Sequence, residues 1–331
     1  MKIFTETVGS GSATLTCYVQ TPSDELATAR VRPLVLVLPG GGYFFTSDRE
    51  AEPIALAYLA EGFNACVLRY STGPDAPWSQ SFADGRAALA WVREHAGDLG
   101  IDPAKVAAVG FSAGGHLAAS LGTGSDDKPD ALVLGYPVTL GEFGPPVGKE
   151  ILDVPSAVTA QTPPTFLFST CGDTTVPIRN SLALLSALAE AGVAFESHIY
   201  LLGPHGLSLA KPLTANGGAA MVEPSVAPWL TDSVRFLRAV FGDFAVTGEA
   251  ETYRTLVERR RFGLDMPFGR LAADDRAVEV LQRLLPEMLV ALQANGLMSG
   301  MSLRQLVAYR PEAVPAQTLP ALAAELEALN G

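Results

Sequence analysis

Two rhythms of apolar positions run along the chain. Residues Lys2–Val8 and 13–20 alternate apolar and polar side chains on either side of a Gly-Ser turn, which predicts an antiparallel hairpin. The alternation then gives way to short continuous apolar runs. Residues 33–39 read PLVLVLP, the pattern of a strand buried on both faces. A helical pattern follows at about 49–61, then a strand at Asn64–Arg69, a helix at about 82–95 and a strand at 105–109. The series continues with a helix from Ala113, strands at 131–134 and 165–169, a helix at 178–191, a strand at 195–201 and a helix at about 226–240. Strands alternating with helices predict a mostly parallel sheet covered on both faces. Ligands of such sheets bind beyond the carboxyl ends of the strands, so the loops after each strand are where chemistry is sought.

Past Gly242 the rhythm is helical only. Residues 251–261, 275–295, 302–309 and 319–329 repeat at helical period, Ser302 and Gln305 have capping-box spacing, and Pro286 is expected to kink or break the second helix. Residues 245–331 contain no Lys, His, Cys or Trp, and carry 9 Arg against 11 Asp and Glu. We expect two domains, an α/β domain over 1–243 and a small all-helical one over 244–331.

Composition narrows the function. The 331 residues are 48% apolar and 18% charged, ample for a large core. A net charge of −12 excludes nucleic acid as a partner, since phosphate binding needs a basic footprint, and weighs against a strongly anionic substrate. Cys17, Cys66 and Cys171 are odd in number, widely spaced and free of a Cys-x-x-Cys pair. They read as small core residues and not as a disulfide framework or a metal site. The first 19 residues hold no apolar leader segment, and no window reaches the roughly 18 apolar residues of a membrane span. The expectation is a cytoplasmic protein with no membrane partner.

The sharpest motif is Gly110-Phe111-Ser112-Ala113-Gly114, placed between the apolar run ending at Val109 and the helical stretch from His116. A serine hydroxyl is a poor nucleophile until a base lies beside it and its oxygen is presented openly, and a sharp strand-to-helix turn does the presenting. An acid and a histidine should follow in that order. Of four histidines, His95 ends a surface helix and reads as solvated, His116 lies one turn past Ser112 and His198 lies within a strand. His205 alone occupies a Gly/Pro loop directly after the last strand. For the acid, Asp173 follows the strand at 165–169 and precedes the next helix, which it could also cap. Asp130 and Asp153 are weaker candidates, neither following a clear strand end. Gly40-Gly41-Gly42 follows the first parallel strand, and the amides of Gly41, Gly42 and Ala113 are the candidate donors to an oxyanion.

Taken in order, GGGY, VLRYS, DxxAALxWVR, GFSAGGHLA, GDTTVPIxNS and PHG resemble esterases and lipases of the α/β-hydrolase superfamily, closest to bacterial acetylxylan and feruloyl esterases. The resemblance covers about 30–242. It implies the α/β-hydrolase fold over the first domain, with Ser112 as nucleophile, Asp173 as acid, His205 as base and Gly41, Gly42 and Ala113 as oxyanion donors. Many relatives have His-Gly-Gly-Gly where this chain has Pro39 before the glycines. The helical segment, with MPFGRL and GMSLRQL, is similar to short helical tails of some bacterial carbohydrate-active enzymes.

The reaction expected is two-step acyl transfer from a small-molecule ester, with a small acyl group such as acetyl and an acetylated sugar as one candidate substrate. It requires no metal and no organic cofactor. Tyr43, Phe44, Phe45 and Trp78 are candidate pocket walls. The Pro- and Gly-rich segment 137–162 lies where this fold accepts cap insertions, and 205–226 is a second long irregular stretch. A peptidase or amidase on the same scaffold, and a non-catalytic binding protein, are the alternatives. A homo-oligomer is left open.

Overall fold

The structure, a computed structural model, describes residues 1–9, 13–246, 261–294, 299–309, 314–315 and 317–330. The chain separates into two compact units, Met1–Val246 and Thr247–Gly331.

In the first unit the elements run β1 (Lys2–Val8), β2 (Ala13–Val19), β3 (Arg32–Leu38), α1 (Glu52–Ala60), β4 (Asn64–Arg69), α2 (Trp78–Glu94), α3 (Ala96–Leu99), β5 (Ile101–Phe111), α4 (Ala113–Gly124), β6 (Ala131–Gly135), α5 (Val154–Ala157), β7 (Thr165–Thr170), α6 (Arg179–Glu190), β8 (Phe195–Tyr200) and α7 (Trp229–Phe241). The eight strands form one sheet in the order β1-β2-β4-β3-β5-β6-β7-β8. The β1–β2 hairpin joins antiparallel at β4, and β3 to β8 pair in parallel.

The PLVLVLP run of β3 shows why the middle strands lack alternation. Leu34, Leu36 and Leu38 point into a core shared with α2, α4 and α6, while Val35 and Val37 point into one shared with α1 and α7. Successive side chains leave opposite faces, and both faces are covered. Burying each such side chain contributes about 1.5–3 kcal/mol. On the α7 side, fully buried Trp229 stacks on Phe168 at 4.5 Å and meets Phe111 edge-on at 5.6 Å. That packing lies directly beneath the β5–α4 turn.

Cys17 and Cys66 are core residues, opposed on β2 and β4 with their Sγ atoms 2.7 Å apart. Burial pushes the Cys66 thiol well above its ordinary range, so it stays protonated. Cys171 departs from the core reading: it is exposed, because β7 ends at Thr170 and the next residue turns outward. The segment 137–162 contains two 3-10 turns, Gly141–Phe143 and Pro145–Val147, and the single-turn α5.

The second unit packs helices Phe268–Leu271, Asp275–Leu284, Pro286–Ala294, Leu303–Tyr309 and Leu319–Ala328 around Leu271, Leu281, Leu303, Leu322 and Leu326. The helix expected over 275–295 is two helices. Leu285 sits at φ −142°, ψ 53°, because the residue before a proline is driven from helical geometry. Ser302 and Gln305 form the capping box, with Gln305 N–H donating to Ser302 Oγ (3.2 Å) and Ser302 N–H to Gln305 Oε1 (2.9 Å). Of the helix expected at 251–261, residues 251–260 lie outside the described residues. Among the described residues no helix is long and apolar enough to cross a membrane.

Candidate active site

Strand β5 ends at Phe111 and α4 begins at Ala113, leaving Ser112 alone to make the turn. Its φ is 53° and ψ −119°, a strained conformation for a residue with a side chain. Surrounding bonds hold it there. Ser112 N–H donates to Gly135 O (3.0 Å), and Ser112 O accepts from His116 (2.9 Å) and Val138 (3.2 Å). The motif's glycines are steric necessities. A Cβ on Gly110 would lie 2.2 Å from Gly114 O, and one on Gly114 would lie 2.1 Å from Leu38 O and 2.4 Å from Pro39 O. Gly114→Ala is expected to cost about 3 kcal/mol, the upper end of overpacking penalties, because the obstructing atoms are main chain and cannot rotate away. Thermal or urea denaturation measures it.

Two further strand ends bring the acid and the base. Asp173 lies just past β7 and is 5% exposed. Its Oδ1 accepts the amides of Thr175 (2.9 Å) and Val176 (2.8 Å), which leaves Oδ2 aimed at His205 Nδ1, 2.6 Å away. His205 lies past β8, and its Nε2 is 2.8 Å from Ser112 Oγ. A carboxylate only accepts, so Nδ1 carries the hydrogen and Nε2 offers its lone pair to the serine hydroxyl. Tyr136 packs edge-on against the imidazole at 5.1 Å. Asp173 therefore both orders its own turn and faces the histidine. Asp130 instead accepts from Arg93 and Val106, and Asp153 from Gly141.

The other histidines lie elsewhere. His198 bonds Glu196 (2.9 Å) on the β8 face. His95 is half-buried, stacked on Trp91 at 4.2 Å and bonded to its carbonyl, which corrects the expectation of a solvated helix end. The indole one turn earlier offers a flat apolar surface that water does not match.

The glycine loop after β3 lies against the serine. A Cβ on Gly40 would stand 3.0 Å from Ser112 Cβ and 2.8 Å from Phe111 O. Gly41 at φ 130° and Gly42 at φ 63° turn the chain in a way that side chains resist. Among the described residues, no acceptor engages the amides of Gly41, Gly42 or Ala113. The Pro39 carbonyl, just before the glycines, accepts the buried Tyr70 hydroxyl at 2.6 Å and anchors the start of the loop.

Tyr43 follows at φ 62° and is 2% exposed. That corrects its reading as a pocket wall. Its hydroxyl donates to His116 Nδ1 (2.7 Å), and His116 Nε2 donates to Leu152 O (2.8 Å), so the pair pins the glycine loop from below. Phe44 and Phe45, next in sequence, are exposed. Trp78 is half-buried, stacked on Phe82 at 5.2 Å and edge-on to His116. Burial pulls the His116 imidazole down to about 4 from its usual 6.5. Between those values the unfolded chain binds a proton that the folded chain refuses. Stability present above pH 6.5 is therefore lost as pH falls toward 4, by about 3 kcal/mol in all. His116→Gln is expected to flatten that slope, as measured by urea denaturation at neutral and acidic pH.

Sequence reading missed Glu50. It belongs to a run, Asp48-Arg-Glu-Ala-Glu-Pro53, that reads as the solvated start of the helix expected at 49–61. The helix instead begins at Glu52, with Pro53 in its first turn, and Glu50 is 4% exposed. Pro53 was the available signal, since proline favours a first helical turn and so sets Arg49 and Glu50 in the preceding loop. Glu50 Oε2 accepts the Gly40 amide (2.8 Å) and Oε1 accepts the Tyr136 hydroxyl (2.5 Å). Burial raises its carboxyl above the usual range, and those two hydrogen bonds oppose the rise.

Residues 21–136 match the BD-FAE family. The solved structure of MGS-M1, an α/β-hydrolase enzyme from a Medee basin deep-sea metagenome library, is 42% identical, with a TM-score of 0.68 over 72% of this chain and 98% of that one. The acetyl ester-xyloside bifunctional hydrolase of Caldicellulosiruptor lactoaceticus is 32% identical, with a TM-score of 0.60 over 69% of this chain and 88% of that one. Endo-1,4-beta-xylanase B of Butyrivibrio fibrisolvens is 32% identical over 54% of this chain. The chain spans 33% of that xylanase and 56% of the Mycobacterium tuberculosis esterase LipQ, to which it is also similar. A parallel sheet with a strained Ser112 at the end of β5, and likeness along nearly the whole of one solved relative, lead to one assignment: this chain belongs to the esterase-like α/β hydrolases.

Proposed function

We propose that the protein is a serine carboxylesterase that hydrolyses short-chain esters, acetyl esters first, with acetylated sugars such as xylo-oligosaccharides as the natural class. The observation that carries this reading is the unbroken relay from Asp173 Oδ2 through His205 to Ser112 Oγ, at 2.6 and 2.8 Å. In the proposed cycle, Ser112 Oγ attacks the ester carbonyl while His205 Nε2 takes its proton. The amides of Gly41, Gly42 and Ala113 hold the oxyanion, each such donor contributing about 10²–10³ in rate. His205 then gives the proton to the departing alcohol oxygen. Water, deprotonated by the same nitrogen, releases the acid and restores the serine.

Support for a sugar ester comes from the relatives named for xylan and for an acetyl ester-xyloside. Support for a small acyl group comes from segment 137–162, which is built of short turns and one helical turn and offers no long apolar lid. The test is hydrolysis of p-nitrophenyl esters of rising chain length beside acetylated xylo-oligosaccharides and a matched amide. We expect acetyl to exceed longer chains and the acetylated sugar to release acetate. Turnover of the amide alone would overturn the ester assignment.

A further inference from the structure

We propose that Glu50 is a positioning residue for acyl transfer, its carboxylate tying the glycine loop to the loop that carries His205. The inference rests on the esterase reading and adds to it a residue outside the relay.

The two halves of the proposed machinery come from distant parts of the chain. The glycine loop leaves β3, and the base loop leaves β8. Glu50 touches both. Oε2 takes the Gly40 amide, the residue immediately before the proposed oxyanion donors. Oε1 takes the Tyr136 hydroxyl, and that hydroxyl oxygen accepts the Ser208 amide (2.9 Å), three residues past His205. The Tyr136 ring also packs on the imidazole itself. Arg49 doubles the tie. Its guanidinium donates to Gly206 O (2.7 Å) and Thr214 O, and its own carbonyl accepts Ser208 Oγ. Trp229 Nε1 donates to Ser208 O (2.9 Å), fixing the base loop to the core from behind.

A carboxylate buried this deeply is costly unless every oxygen is used. Here each oxygen takes one donor: the Gly40 amide of the glycine loop, and the Tyr136 hydroxyl, whose oxygen in turn accepts from Ser208 of the base loop. Glutamine cannot replace it, because an amide accepts through one atom only. With its oxygen toward Gly40, its NH2 meets a tyrosine oxygen that already accepts from Ser208, and the tyrosine hydrogen is orphaned. Turned over, the NH2 faces the Gly40 N–H. Either arrangement shifts one loop against the other. A displacement of about 1 Å between reacting groups costs on the order of 10²-fold in rate.

The experiment compares wild type, Glu50→Gln and Tyr136→Phe on p-nitrophenyl acetate, with active sites counted by a fluorophosphonate probe. Tyr136→Phe keeps the ring and deletes only the bridging hydroxyl. We expect kcat per labelled site to fall about 10–100-fold in each variant with KM within about threefold, since alignment matters at the transition state. The double variant should lose much less than the product of the two, because both break one connection. A purely structural role would lower the labelled fraction and leave kcat per labelled site unchanged, and that result overturns the proposal. So does a fully multiplicative double variant. Wild type that neither turns over ester nor labels at Ser112 would remove the esterase reading itself. Active wild type with unaltered variants would remove only this inference.

Discussion

Ser112→Ala is expected to lower kcat on p-nitrophenyl acetate by about 10⁶-fold while leaving the fold intact. Alanine keeps the Cβ, so the strained turn at φ 53° is retained with its bonds to Gly135, His116 and Val138. What disappears is one oxygen and its 2.8 Å contact with His205. Stability should therefore change by only about 1 kcal/mol, the net contribution of one intramolecular hydrogen bond. Covalent labelling by a fluorophosphonate should vanish, because among the described residues no other hydroxyl is hydrogen-bonded to the imidazole. Residual hydrolysis above the water rate is expected, since the amides of Gly41, Gly42 and Ala113 and the substrate contacts remain. Activity within tenfold of wild type would mean that another atom is the nucleophile.

How much of this was legible in the sequence depends on how local each signal is. The strand, turn and helix around Ser112 are local: an apolar run, two glycines forced by close main-chain approach, then a helical stretch. His205 and Asp173 were reachable because chain order and strand ends limit the choices, and the structure brings both within hydrogen-bond range of the relay. Tyr43 was misread because an aromatic after a glycine loop carries no mark of which way it points. Only tertiary contact with His116, 73 residues away, turns it inward. Glu50 was missed for the same reason in charge form. A glutamate among Asp, Arg and Glu looks solvated, and the groups that bury it, Tyr136 and the Gly40 amide, meet it only after the sheet has assembled. The break at Leu285 was half legible, proline announcing a disruption without saying whether the helix bends or stops.

The second large effect falls on Asp173. Asp173→Asn is nearly isosteric, so its size disturbs nothing, but its hydrogen-bonding does. The Oδ1 position is held by two main-chain donors, Thr175 and Val176, and only the amide oxygen can accept them. The NH2 must then occupy the Oδ2 position, 2.6 Å from His205 Nδ1. A donor there demands an acceptor, so Nδ1 gives up its hydrogen and Nε2 takes it. The imidazole now points an N–H at Ser112 Oγ and has no lone pair with which to receive the serine proton. The charge that would steady the imidazolium is gone as well. Together these changes are expected to lower kcat by about 10⁴-fold with KM little altered. Fluorophosphonate labelling of Ser112 should slow by a similar factor, because that reaction uses the same base. Stability should stay close to wild type, as the turn-capping bonds survive. Asp173→Ala separates the two duties, since it loses the caps too and should fall in both melting temperature and rate. If Asp173→Asn kept more than a tenth of wild-type kcat, the acid would have to be sought elsewhere, and Asp173 would be only the cap of a turn that lies beside a histidine.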